Sequence, residues 1–213
     1  MTAPPFAKLR LCNSINFLFR KILCVGLVVL DFRPVFWYNR CGKEEIMKTV
    51  CVTGHRPAKL PWGYKKEGPE YEEYIESLAC TIADYLENGY DHFITGMALG
   101  VDMDFAETVI QFREHYDLDV KLECAIPCPN QTLKWSPTET ARYKEILEKA
   151  DKVTMVNDHY FRACMLVRND YMVDHSNTVL AVWNGEQSGG TWHTIQYAKA
   201  KGKQVDIIKV DQK

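Results

Sequence analysis

The chain has 213 residues, enough for one domain with a substantial core and too few for two of ordinary size. Its composition, 46% hydrophobic and 25% charged with a formal net charge of −2, excludes a disordered or low-complexity polypeptide. The eight cysteines are scattered rather than clustered, which favours reduced core thiols in a cytosolic protein over a secreted disulfide scaffold.

Residues 1–46 differ from the rest. The run INFLFRKILCVGLVVLDF (15–32) is the one strongly apolar stretch, and Arg20 and Lys21 break it. Its uninterrupted part, Ile22 to Leu30, falls far short of the ~20 residues a membrane span requires, so a weak anchor is the most it supports. A signal-peptide reading lacks a small-x-small cleavage site. The residues GKEEIM fit a message with a purine-rich ribosome-binding sequence just ahead of Met47. Translation is therefore expected to begin at Met47, with residues 1–46 an extension outside the native protein and 47–213 a single domain. Residues 1–46 hold seven Lys/Arg against three Asp/Glu, and the remainder holds 19 against 25, a formal charge of −6. That acidic balance disfavours nucleic acid as a partner, because affinity for a phosphate backbone rests largely on Lys and Arg.

From Lys48 onward, strand-like and helix-like segments alternate. KTVCVTG is a β-branched run that stops at glycine, and 71–88 has the helical period of Tyr74, Ile75, Leu78, Ile82, Tyr85 and Leu86. DHFIT is a second strand, followed by a helix over about 101–115. DVKLECAI is a third strand, and Ser136-Pro137 with Glu139 behind it opens another helix. DKVTMV, a helix over 160–175, NTVLAVW, a helix over 191–201 and QVDIIKV complete the pattern. The spacing predicts an α/β fold, a Rossmann-like three-layer α/β/α sandwich around a mostly parallel sheet. Ligands of such sheets lie beyond the carboxyl ends of the strands, where helices begin.

The turns at those ends carry the candidate site. In TGHRP, Gly54 suits a sharp exit with positive φ or a close ligand approach, and Arg56 suits a bidentate pair with phosphate or carboxylate. In HFITGMALGVDMDF, Gly96 and Gly100 precede a helix start whose free N–H groups suit a phosphate, with Asp102 placed for a ribose hydroxyl. The spacing is not GxGxxG, so no dinucleotide fingerprint is present. In WNGEQSGGTWHT, Gly189, Gly190 and Thr191 form a second nest of donors, and Trp192 is a candidate to stack on a base, as is Trp135. Arg168 and Asn169 interrupt an apolar helix with groups able to grip phosphate, base or sugar; a solvated helix face explains them equally well. His159, His175 and His193 lack metal-ligand spacing, so no metal is expected.

Taken together, ITGMALGVDMDFAE, RND and NGEQSGGTWHTIQYAKAKGKQV resemble the superfamily that joins the bacterial DNA-processing protein A with the "Lonely guy" nucleotide hydrolases (SLOG). With TVCVTGHRP and AIPCPNQ added, the likeness over about 48–210 is to its small YpsA-like members. The resemblance implies a Rossmann-like fold with a pocket for a nucleotide or nucleotide-derived ligand, and a sensing or regulatory role near bacterial cell division or stress. No reaction and no cofactor beyond such a ligand follows from it. Relatives often dimerise, so a homodimer is allowed and the oligomeric state stays open. The hydrolase branch carries GGxGTxxE, whose glutamate serves in N-glycosidic cleavage; here the run is GGTWHTIQ, with Gln196 at the glutamate's place. Glu186, Asp170 and Asp174 are the carboxylates left as substitutes for a hydrolytic alternative, and single-stranded DNA binding is the other.

Overall fold

A computed structural model describes residues 47–211, so the expectations for residues 1–46 lie outside the described residues. The chain runs β1 (Lys48–Gly54), a 3-10 turn (Pro57–Lys59), α1 (Pro69–Glu87), β2 (Tyr90–Thr95), α2 (Val101–Tyr116), β3 (Lys121–Ile126), α3 (Pro137–Lys149), β4 (Lys152–Met155), α4 (Cys164–Asp174), β5 (Thr178–Trp183), α5 (Gly189–Ala200) and β6 (Gln204–Lys209). The six strands lie in the order β4-β3-β2-β1-β5-β6. Every pairing is parallel. The α/β Rossmann-like reading of the sequence is therefore correct.

Period-two alternation divides the strand side chains between two layers. Val50, Val52, Phe93, Leu122, Leu180 and Val182 pack on one face with α1, α2 and α3. Cys51, Ile94, Ala125 and Val179 pack on the other, against Met172 and Val173 of α4 and Ala198 of α5. Central strands buried on both faces read as continuous apolar runs, which is why VLAV and VCV stand out in the sequence. Full burial of side chains such as Phe93, Phe105 and Leu122 contributes roughly 1.5–3 kcal/mol each.

Helix boundaries follow local chemistry. Ser136 and Glu139 form the expected capping box: Glu139 N–H donates to Ser136 Oγ at 3.2 Å and Ser136 N–H donates to Glu139 Oε2 at 2.9 Å. Three starts differ from expectation, the first being α1, which begins at Pro69 rather than at residue 71. The helix predicted over 160–175 begins only at Cys164, after a turn in which Cys164 N–H donates to Phe161 C=O. The helix predicted over 191–201 begins two residues earlier, so Gly189 and Gly190 belong to its first turn.

The chain walks outward from β1 to β4, then returns to lay β5 on the opposite side of β1. The connections after β1 and β5 thus diverge, opening a crevice at the carboxyl ends of these two strands. One polar group is buried well away from it. Glu123, on β3, is 1% exposed and accepts hydrogen bonds from Thr154 Oγ1 at 2.7 Å, Tyr171 Oη at 2.8 Å and Lys152 Nζ at 3.2 Å, with His92 Nε2 at 3.3 Å. Burial alone would raise its pKa, but bonds from His92, Thr154, Tyr171 and Lys152 outweigh it and hold the value down to about 2.

Because that folded value lies below the unfolded one, the stability Glu123 contributes is complete above about pH 4.5 and is lost as pH falls toward 2. Glu123→Gln should remove a pH-dependent contribution on the order of 3 kcal/mol from this window. Urea midpoints measured between pH 7 and pH 2 should show a flatter acid limb for the variant; an unchanged limb would refute the assignment.

Candidate functional site

A cavity of about 410 Å³ occupies the crevice at the β1/β5 switch point. Its walls come from the end of β1 and the loop after it (Gly54, His55, Arg56, Ala58, Lys59), the turn into α2 and its first turn (Ala98, Asp102), the inner side of α4 (Met165, Arg168, Asn169, Met172) and the start of α5 (Ser188, Gly189, Gly190, Thr191). Eight of the eleven candidates, Gly54, Arg56, Asp102, Arg168, Asn169, Gly189, Gly190 and Thr191, line it. Gly96, Gly100 and Trp192 do not.

The glycines have separate roles. Gly54 does not have a positive φ. A Cβ there would stand 2.5 Å from Val101 Cβ, so it is glycine because α2 lies directly against the strand exit. Gly96 also lacks positive φ, and a Cβ would fall inside the Arg168 guanidinium. Gly100 caps α2 at φ 93°, where a Cβ would press on His55 C=O at 3.0 Å. The phosphate cradle expected at 96–102 is thus filled by protein. Its anion is Asp102, whose Oδ2 accepts the Ala98 N–H at 3.1 Å. At α5 the situation is reversed. A Cβ on Gly189 would meet nothing within 4 Å, and one on Gly190 would meet only Asn169 Nδ2 at 3.6 Å, so the space before this helix start is open.

Arg168 is 4% exposed rather than solvated. Nη1 donates to Gly96 C=O, Nε donates to Asn169 Oδ1 at 2.9 Å, and Asp102 Oδ2 lies 3.8 Å from Nη1. Burial pushes the Arg168 pKa down and the Asp102 pKa up, and each charge opposes the other's shift. Asn169 carries the wall on to α5, donating to Thr194 Oγ1 at 2.9 Å. Arg168 and Asn169 are therefore first of all the frame of the cavity. Arg56, by contrast, is exposed and makes no side-chain hydrogen bond or ion pair among the described residues.

Trp192 stacks on Trp183 at 5.3 Å and 16°, outside the cavity, which removes it as a base-stacking residue in this structure. Trp135 sits edge-on to Tyr143 at the rim of the main core. Gln196 lies on the exposed side of α5, so even a glutamate at that position would not face the cavity. Asp170 pairs with His193 at 2.8 Å and Asp174 with Lys201 at 3.0 Å on the outside of the α4–α5 pair, and neither lines the cavity. Asp102 is the carboxylate that does.

Sequence reading missed three contributors. His55 is 5% exposed, its Nε2 has no partner, and burial pushes its pKa down. Lys59 and Ser188 stand at the mouth. TGHRP and SGG flagged the right loops and contain His55 and Ser188, but nothing local singled those two side chains out, and Lys59 lies just beyond the first motif.

The sequence model of the YspA SLOG family (YpsA) matches residues 50–212. The chain belongs to the YpsA SLOG family. Members similar to it include UPF0398 proteins of Bacillus cereus (strain B4264) and Bacillus thuringiensis (strain Al Hakam), each 28% identical over 159 residues, covering 74% of this chain and 85% of the relative. Among solved structures the YpsA-family chain resembles DNA processing protein A from Streptococcus pneumoniae (TM-score 0.51, 14% identity, 76% of this chain and 50% of that one). It also resembles DNA processing protein A from Helicobacter pylori (TM-score 0.51, 17% identity, 77% and 68%), whose structure addresses single-stranded DNA binding. At these identities the likeness concerns the fold, and this chain spans half the length of the pneumococcal protein. The expectation that disfavours nucleic acid gains no support from such neighbours. No helix among the described residues is long and apolar enough to cross a membrane.

Gly54→Ala should destabilise the protein by about 1–3 kcal/mol or more, because backbone rather than a side-chain tip must move. Gly190→Ala should lie within about 1 kcal/mol of wild type in the same denaturant titration. Equal costs at the two sites would contradict the division between packing and open glycines.

Proposed function

We propose that this YpsA-family protein binds a nucleotide or nucleotide-derived ligand in the β1/β5 crevice and acts as a cytosolic sensor or regulator, in keeping with a role near cell division or stress. The observation that carries this reading is the uncapped start of α5 facing the cavity. The N-cap Ser188 makes no side-chain hydrogen bond to the helix, and the two first-turn glycines that follow it, Gly189 and Gly190, leave open space. Unsatisfied N–H groups and the positive end of the helix dipole favour an anion there. Arg56 and Lys59 stand on the facing loop as exposed cations. The Asp102 side of the cavity would repel a phosphate but suits a hydroxyl donor, so the two ends of the crevice favour phosphate at α5 and ribose at α2. Met165, Met172 and Ala58 supply apolar wall for a base. The volume falls within the roughly 300–1,000 Å³ usual for small-ligand sites.

Hydrolysis by the family's glutamate mechanism is disfavoured by the position of Gln196. Single-stranded nucleic acid is the second reading, prompted by the Helicobacter pylori neighbour. Affinity that falls steeply with salt would mark it.

A thermal-shift screen of the full chain against AMP, ADP-ribose, nucleotide sugars and dinucleotides should give a stabilising ligand. Arg56→Ala should then weaken its binding by about tenfold or more, the effect of losing a charge-assisted hydrogen bond. Gly190→Glu should abolish binding while leaving stability unchanged or higher, because an acidic residue in the first turn suits the helix dipole. Wild-type affinity in both variants would refute the site.

A further inference from the structure

Two loops meet across the cavity mouth through a pair of charges, of which the proposed phosphate site uses only the cation. Lys59 Nζ donates to Glu186 Oε2 at 2.7 Å, and the Ser188 hydroxyl donates to Glu186 Oε1. Both donors line the cavity, whereas Glu186 does not. The carboxylate thus takes a cation and a hydroxyl beside the start of α5, the same kinds of donor that an incoming phosphate would use. Hydrogen bonds from Lys59 and Ser188 pull the Glu186 pKa below the usual carboxylate range, so it is charged at neutral pH.

We propose that Glu186 is a built-in competitor for the anionic group of the ligand, holding Lys59 and Ser188 until a phosphate displaces it. This rests on the nucleotide reading above and adds how the site selects. A ligand must carry an anion able to take Lys59 from an intramolecular carboxylate, so phosphate esters and pyrophosphates are admitted in preference to neutral nucleosides. The loop is built to let the carboxylate leave without unfolding. Its backbone is fixed independently of Lys59: Trp183 Nε1 donates to Glu186 C=O at 2.9 Å, Glu186 N–H donates to Asn184 Oδ1 at 3.0 Å, and Trp183 is stacked on Trp192. Gly185 supplies the positive φ of 88° that turns the chain between them. The Lys59 and Glu186 side chains are 46% and 40% exposed, so their pairing is weak enough for a ligand to exchange.

The test is calorimetric titration of the full-length protein with AMP, pyrophosphate and adenosine, for wild type, Glu186→Gln, Lys59→Ala and the double variant. Glu186→Gln should bind AMP and pyrophosphate about 3- to 5-fold more tightly, the scale of releasing one exposed ion pair, and adenosine no better than wild type. Lys59→Ala should weaken the two anions and erase the gain in the double variant. AMP binding at wild-type strength with no gain, or a loss, in Glu186→Gln would overturn the competitor role and leave the nucleotide site standing. An equal gain for adenosine would overturn it too, since the effect would then be steric. Failure of AMP and pyrophosphate to bind any of the four proteins would overturn both this role and the nucleotide reading.

Discussion

The crevice depends on one buried guanidinium. Arg168 leaves α4 on one side of the sheet, and its Nη1 ends on the Gly96 carbonyl beyond β2, with Asp102 of α2 at 3.8 Å. An unpaired charge at this depth would be prohibitively costly, so the carboxylate, the carbonyl and Asn169 Oδ1 must all be in place. The space for it exists because residue 96 has no Cβ. The two helical layers are thereby joined over the end of the sheet, and the cavity floor is set before any ligand arrives.

The same constraint gives the two helix starts different work. At α2 the protein supplies its own anion, and the start is closed. At α5 the N-cap serine turns away from the helix toward Glu186, and the start is open. One closed and one open terminus, on either side of a topological switch, make a site with a polar direction. A ligand bearing a hydroxyl-rich end and an anionic end fits that direction in one orientation only.

Most of the fold could be read from the sequence because its signals are local. Strand periodicity, the SPTE capping box and the glycines at strand exits each involve a few adjacent residues. What each glycine is for could not be read, since the answer depends on atoms far along the chain. Gly96 owes its identity to a residue 72 positions later, and Gly54 to the approach of Val101 from the next βα unit. Trp192 looked available for stacking because nothing local showed that Trp183, across the loop, would cover it. Lys59 and Glu186 are 127 residues apart and meet only once β5 is laid beside β1. Glu123 was hidden for the same reason: in the sequence it is one charged residue in an apolar strand, and its partners come from β2, β4 and α4.

The central claim, that the open start of α5 and the loop after β1 receive an anionic nucleotide, is tested most directly by amide NMR of the full-length protein during titration with AMP. The account predicts saturable shifts concentrated at residues 54–59, 98–102 and 186–192, with the α5 first-turn amides moving most as they donate hydrogen bonds to the phosphate. Shifts confined to other surfaces, or none at concentrations that saturate ordinary nucleotide sites, would contradict it.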